Sequence, residues 1–277
     1  MILTVHSLFN TLMTRILKRH GLDIPVMVLE ADPVHIHSTW CNPNAYMTLC
    51  PTREAYEATV AQGVPAEKVK VLGFPIRRRF CDAGRSDGGK DREISRPARC
   101  LLVSGAEGCG RLRAYSEVVL GDTDVSLTVV CGRNARLQRQ LQEDLCDKYG
   151  DRVQVLGFVP DMEQLMLRSD LLISRGSPNT LLEAVTLCLP VIMIGPLPEQ
   201  EKGTPRLMAS HGLGVACDSP SDAAGIIRGL LENDAARLRE IRAAQRAFRR
   251  FDAAHDIAAF AAEQVQALPS PWEEEAR

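Results

Sequence analysis

The 277-residue chain has no apolar run approaching the roughly 20 residues needed to cross a bilayer, so no helical membrane span is expected. It has no CxxC pair. Its nine cysteines are scattered and odd in number, which argues against a disulfide framework and reads as reduced thiols. It has no charge of one sign to spare. Lys and Arg number 33 against 35 Asp and Glu, a net charge of −2, so nothing global points to nucleic acid. Internal repeats and low-complexity tracts are absent. The N-terminus runs apolar and then basic, the reverse of a secretory signal, so no such leader is expected. These absences leave a globular protein of one large or two modest domains with a cytoplasmic location, and the 45% hydrophobic and 25% charged content suits that class.

What is present is strand–helix alternation in two runs. In the first, residues 3–9 read as a strand, about 8–20 as an amphipathic helix, 25–29 as a buried strand, 54–62 as a helix and 69–72 as a short strand. Residues 81–99, rich in Gly, Asp, Arg and Ser, read as a linker. The second run has strands at 100–104, 126–131, 153–156, 171–173 and 190–194. Its helices fall at about 111–119, 135–148, 161–167 and from Thr180. Helices near 220–232, 234–250 and 253–267 follow, and 268–277 is a tail. This order predicts parallel, doubly wound sheets in an α/β protein, with a first domain over 1–95 and a second over 100–267.

Residues 154–204 hold the most concentrated chemistry. A buried strand leads into the small-residue loop 176–179, then a helix opening with Thr180 and Glu183, a second buried strand, and the polar loop 199–201. Ligands of parallel sheets bind beyond the carboxyl ends of the strands, and a free helix start favours an anion. Thr180-Leu-Leu-Glu183 has the spacing of a capping box, in which Glu183 would close on the Thr180 N–H. Asn179 tolerates left-handed backbone, so it could serve a tight turn there. Gly105–Gly110 follows a strand and could face a phosphate, or serve only strand–helix packing. His35, His37 and Cys41 lack the second half of a metal-site pattern, so no metal is expected. Asp122-Thr123-Asp124 reads as turn chemistry.

The segments LEADPVHIHSTW (29–40), VKVLGFPIRRRF (69–80), LLVSGAEGCG (101–110), VVCGRNARL (129–137) and the block 154–204 occur in an order that resembles one family. It is the GT-B glycosyltransferases that comprise the monogalactosyldiacylglycerol synthases and processive diacylglycerol glucosyltransferases, with the peptidoglycan GlcNAc-transferase as a more distant relative. The resemblance implies a GT-B-like α/β fold of two Rossmann-like domains, the first incomplete, with the last helix crossing back to the first domain. It also implies a UDP-sugar bound by Gly105, Glu107, Gly108, Gly110, Asn134, Phe158, Val159, Ser177, Asn179, Thr180, Glu183, Gln200 and Glu201. In it Glu183 takes the ribose hydroxyls, Phe158 and Val159 the uracil, and Gln200 with Glu201 the hexose. Asp32, His37 and Trp40 match the acceptor-side pattern, with Asp32 and His37 the candidate catalytic groups. No cofactor is implied.

The implied function is transfer of galactose or glucose from a UDP-sugar to a diacylglycerol-type lipid. The basic residues Arg15, Lys18 and Arg19, and Arg77–Arg79, fit either a solvated face or peripheral docking on the anionic inner face of the cell membrane. Some positions depart from the family pattern. Ser177-Pro178-Asn179-Thr180 replaces Gly-Pro-Gly-Thr, Glu199 replaces Gly, Thr204 replaces Asn, and no Gly-Gly-Gly-His-like loop occurs. Of these, the missing loop, Asn179 and Thr204 carry the alternative reading, a non-catalytic or split nucleotide-sugar-binding subunit that needs a partner chain. A sugar-nucleotide epimerase on the same fold is disfavoured.

Overall fold

The structure is a computed structural model that describes residues 1–87, 93–103, 111–195 and 203–268. The chain divides into two compact units. One comprises residues 1–76 with 250–277, the other residues 77–249.

In the first unit, β1 (Ile2–Thr4), β2 (Val26–Leu29), β3 (Met47–Cys50) and β4 (Val69–Val71) form a parallel sheet in the order β1-β2-β3-β4. Parallel neighbours need crossovers. Helix α1 (Ser7–Arg19) connects the first pair and α2 (Arg53–Ala61) the last. Thr52 caps α2 by accepting the Ala55 N–H at 3.0 Å. One side of the sheet packs Val28 and Cys50 with Ile36, Trp40, Ala55 and Val64. The other packs Met27 and Leu49 against Ile257 and Phe260 of α10 (Ala253–Gln266). Burial on both sides explains the unbroken apolar character of β2, for which sequence alternation is not required.

In the second unit, β5 (Arg99–Val103), β6 (Ser126–Val130), β7 (Val153–Leu156), β8 (Leu171–Arg175), β9 (Val191–Ile194) and β10 (Gly214–Cys217) form a parallel sheet. Their order is β10-β9-β8-β5-β6-β7. The chain therefore runs outward from β5 through β7, returns to place β8 on the other side of β5, and runs outward again. Helices α4 (Arg111–Asp122), α5 (Ala135–Tyr149) and α9 (Pro220–Phe248) cover one core with Leu102, Tyr115, Leu127, Leu141, Ile173 and Ile227. Helices α3 (Arg78–Ser86), α6 (Met162–Leu167), α7 (Pro178–Thr186) and α8 (Gly203–Ser210) complete the unit. The backbone of α9 leaves helical geometry at Glu232–Ala235, which divides it into the two helices read from the sequence.

Three differences from the sequence reading concern elements. The opening strand stops at Thr4, because His6 caps α1 by accepting the Leu8 N–H through Nδ1. Strands β3 and β10 and helix α8 had not been read. Small or polar residues break their apolar pattern: Thr48 in β3, Gly214 and Ala216 in β10, and Gly203, Thr204 and Pro205 in α8. Residues 81–86, read as part of a linker, belong to α3, whose Phe80, Cys81 and Gly84 are buried. The polar face that suggested a linker is the outward face of a helix. Asp122 closes α4, and the Thr123 hydroxyl donates to Val119 O at 2.6 Å.

Candidate nucleotide-sugar site

The order of the second sheet reverses between β5 and β8, so the carboxyl ends of these two strands flank a topological switch point, where open parallel sheets bind ligands. Beyond β8 the chain passes Gly176 and Ser177 and enters α7. Pro178 occupies the first helical position, where its fixed φ and missing N–H carry no penalty. Ser177 is the N-cap residue, and Leu181 N–H closes the first turn on Ser177 O at 3.1 Å. The amides of Asn179 and Thr180 sit in that first turn, where no earlier turn supplies a carbonyl. Asn179 is exposed and Thr180 partly so. This helix start is suited to an anionic group.

That start overturns the capping-box reading. With Pro178 as the first helical residue, the N-cap is Ser177, three residues before Thr180, so Glu183 lies beyond the first turn, out of register with the N-cap. Asn179 is likewise helical and not among the positive-φ residues, so it forms no left-handed turn.

Glu183 is instead paired with Arg77. The Arg77 Nε donates to Oε1 at 2.5 Å and Nη2 donates to Oε2 at 2.8 Å, a two-point fork across 106 positions of sequence. The Glu183 side chain is only 5% exposed, whereas that of Arg77 is 55% exposed. Charge-assisted forks of this kind are among the stronger hydrogen bonds and fix the carboxylate plane. Hydrogen bonding to Glu183 raises the Arg77 pKa further, against the effect of burial. The guanidinium also lies over the Phe80 ring, 4.7 Å from its centroid. Arg79 pairs with Glu163 of α6 at 3.2 Å and donates to Pro160 O. Arg77 and Arg79 thus hold carboxylates of other helices in their own unit, and Arg78 is paired as well, which removes that cluster as a free basic face. Arg78, with its side chain 92% exposed, pairs with Asp82 at 3.4 Å.

Three other expected donor-site residues, Phe158, Val159 and Asn134, follow the ends of neighbouring strands. Phe158, after β7, is exposed, with the Arg133 guanidinium 5.5 Å from its ring centroid, and Val159 is partly buried. Asn134, after β6, caps α5 by accepting Leu137 N–H at 3.0 Å. Gly105, Glu107, Gly108, Gly110, Gln200 and Glu201 lie outside the described residues. Thr204 is buried in α8.

In the first unit, Asp32 and His37 follow β2. No hydrogen bond joins them. Asp32 Oδ2 accepts the Trp40 indole N–H at 2.7 Å, while His37 Nδ1 accepts Thr39 N–H at 3.2 Å and lies 2.9 Å from Thr39 Oγ1. Burial raises the Asp32 pKa, opposed by the Trp40 hydrogen bond and by His37 and His35. Among the described residues no three His, Cys, Asp or Glu side chains gather as a metal site.

The sequence reading missed the carboxylate beneath this loop. Glu30 is fully buried and accepts Thr59 Oγ1–H at 2.8 Å and Cys50 Sγ–H at 3.0 Å. Burial pushes its pKa up to about 7. The three residues come from separate elements, so sequence spacing carried no signal for them.

Residues 1–76 match the family model for monogalactosyldiacylglycerol synthase, and residues 102–211 match that for the glycosyltransferase family 28 C-terminal domain. The probable monogalactosyldiacylglycerol synthase of Glycine max is 30% identical over 242 residues, which cover 82% of this chain and 44% of the relative. The processive diacylglycerol β-glucosyltransferase of Bacillus pumilus is 30% identical over 202 residues, covering 72% and 52%. The chain spans about half the length of the curated relatives it matches. Among solved structures, MurG of Acinetobacter baumannii has a TM-score of 0.69 at 17% identity, with 91% of this chain and 76% of that one covered. HepE of Anabaena in complex with UDP has a TM-score of 0.62 at 17% identity, with 96% and 79% covered. Each curated relative named here is a synthase or a transferase, so they give no support to a non-catalytic subunit. With matching models in both units and this fold, the chain belongs to the GT-B glycosyltransferase family of the monogalactosyldiacylglycerol synthases and processive diacylglycerol glucosyltransferases.

Proposed function

We propose that the protein transfers a hexose, galactose or glucose, from a UDP-sugar to the hydroxyl of a diacylglycerol-type lipid, with inversion at the anomeric carbon. The observation that carries this reading is the free start of α7 at the switch point, with the buried Glu183 carboxylate on the same helix. In it, the first-turn amides of Asn179 and Thr180, with Ser177, take the diphosphate, and Glu183 takes the ribose hydroxyls. Phe158 and Val159 flank the uracil, and Asn134 lines the same edge of the sheet. Gly105, Glu107, Gly108 and Gly110 are assigned to the diphosphate, and Gln200 and Glu201 to the hexose, by the family resemblance.

The chemistry is a single displacement. The acceptor hydroxyl gives its proton to a base, its oxygen forms the new bond to the anomeric carbon, and the old bond to phosphate oxygen breaks as UDP leaves. Asp32 is the proposed base, with His37 as the second candidate. Burial that raises the Asp32 pKa also raises its basicity. The positive end of α7 offsets the charge that grows on the departing diphosphate.

The lipid acceptor calls for a membrane surface. Leu8, Phe9, Leu12 and Ile16 are exposed on α1 beside Arg15, Lys18 and Arg19. An apolar face with basic residues alongside suits peripheral binding to an anionic bilayer. No described helix is long and apolar enough to cross one.

The test uses labelled UDP-galactose and UDP-glucose with diacylglycerol in anionic vesicles and reads label in the lipid fraction. One donor should give labelled glycolipid. Replacing Glu183 with Ala should weaken UDP binding by about 1.5–3 kcal/mol, the range for hydrogen bonds to a charged group. Bound UDP without lipid product from either donor would overturn the transferase reading, and unchanged UDP affinity in a folded E183A variant would overturn the ribose assignment.

A further inference from the structure

We infer that Arg77 is a positioning residue of the nucleotide site, which holds the Glu183 carboxylate so that each of its oxygens keeps one free lone pair for a ribose hydroxyl. This rests on the reading of Glu183 as the ribose acceptor and adds to it a residue that the family motifs did not single out. An ionised carboxylate has about four acceptor positions. The Arg77 fork uses one on each oxygen, at 2.5 and 2.8 Å, and leaves one on each. Two vicinal hydroxyls need that remaining pair.

Three observations argue that the guanidinium stays in place and is not exchanged for substrate. The Glu183 side chain is 5% exposed, and a buried carboxylate that loses its cation is strongly destabilised. Neutral hydroxyls do not replace the lost charge. The Arg77 guanidinium is also held from a second direction, 4.7 Å from the centroid of the fully buried Phe80 ring. Finally, Arg77 is the residue from which α3 starts, so its backbone is set by a helix that packs in the same unit.

A cation at this place could instead serve packing alone. The two roles differ in what they do to sugar discrimination. A fork that aims Glu183 at the ribose affects UDP far more than its 2′,3′-dideoxy analogue. General loosening weakens both alike. Lysine keeps the charge but has no planar fork, so it does not substitute for Arg77.

The experiment measures binding of UDP and 2′,3′-dideoxy-UDP to the full chain by calorimetry for wild type, R77A, R77K and E183A, with thermal melts to verify folding. Wild type should prefer UDP by about 10-fold or more, the equivalent of one hydrogen bond to a charged acceptor. R77A and R77K should lose most of that preference while binding 2′,3′-dideoxy-UDP, which offers Glu183 neither hydroxyl, within about threefold of wild type, a change of under 1 kcal/mol. Preference lost in E183A but kept in folded R77A would overturn the role of Arg77 and leave the ribose assignment standing. Preference kept in E183A would overturn both. If R77A does not fold, R77K decides by the same ratio, and full preference in R77K would overturn the inference.

Discussion

Glu30 shows how strongly one buried carboxyl can tie this fold to pH. It has no exposed surface, and its two hydrogen bonds come from a thiol and a hydroxyl, neither of which carries positive charge. Burial disfavours the ionised form, so the carboxyl holds its proton up to about pH 7, against an ordinary value of 4.5. The folded state then binds more protons than the unfolded state between those two values. Stability is therefore highest below about pH 4.5 as far as this group is concerned, and falls as pH rises to about 7. The loss over that window is about 3 kcal/mol, at 1.36 kcal/mol per unit. Glu30→Gln keeps the shape and stays neutral. Urea unfolding at pH 5 and pH 8 should show the variant gaining on wild type by up to that amount at the higher pH. An equal difference between the two proteins at both pH values would mean that Glu30 is ionised when folded. At the same scale, Glu183 illustrates a limit of local spacing. Thr180 and Glu183 have the separation of a capping box, but Pro178 sets where the helix begins and Arg77 takes the carboxylate.

Among the elements, α10 depends on a single glycine for its approach to the first sheet. Gly73 follows β4 with φ at +97°, and a Cβ built there would lie 2.9 Å from the Cβ of Ala253, the first residue of the helix. Non-glycine residues rarely adopt that backbone, and the contact leaves no room for a methyl group. Gly73→Ala should lower stability by about 2 kcal/mol or more through backbone strain and displacement of α10. Chemical denaturation would register this, and an unchanged midpoint would contradict it. Phe260 on α10 lies beneath the Lys70 ammonium, 4.1 Å from the ring centroid, and closes the core formed with Met27 and Leu49. Phe260→Ala should cost about 3–5 kcal/mol by the same measurement, the usual range for deleting a buried aromatic side chain. Elements with a clear 3.6 period or an unbroken run of large apolar residues were legible in the sequence, short ones such as α6 included. Strands β3 and β10 and helix α8 were not. The helical stretch 81–86 was hidden by its polar outer face.

For the whole molecule, global charge and local charge point different ways. The net charge of −2 gives no long-range attraction to an anionic surface. The proposed docking therefore rests on the patch on α1, where Arg15, Lys18 and Arg19 accompany exposed leucine, phenylalanine and isoleucine. Binding to vesicles that contain phosphatidylglycerol should weaken as salt is raised but not vanish, because the Debye length shrinks to about 3 Å at 1 M while the apolar contribution is unscreened. Substituting Leu12 and Ile16 with Ser should reduce the residual binding at high salt. Sedimentation with such vesicles reads both effects, and equal binding to neutral and anionic vesicles would exclude the basic patch.

What the sequence by itself determined is the class of each half: strand–helix alternation requires parallel sheets, and the order of short motifs leads to a GT-B family. It also located the start of the helix that follows the buried strand β8 to within three residues. These are local properties, carried by periodicity and by residues near one another in the chain. Tertiary structure decided which groups meet. The Arg77–Glu183 fork joins residues 106 positions apart, and the Glu30, Cys50 and Thr59 cluster draws on a loop, a strand and a helix. No spacing rule encodes such pairings, because the cost of burying a charge is met by whichever opposite charge or donor the packing of separate elements brings within reach.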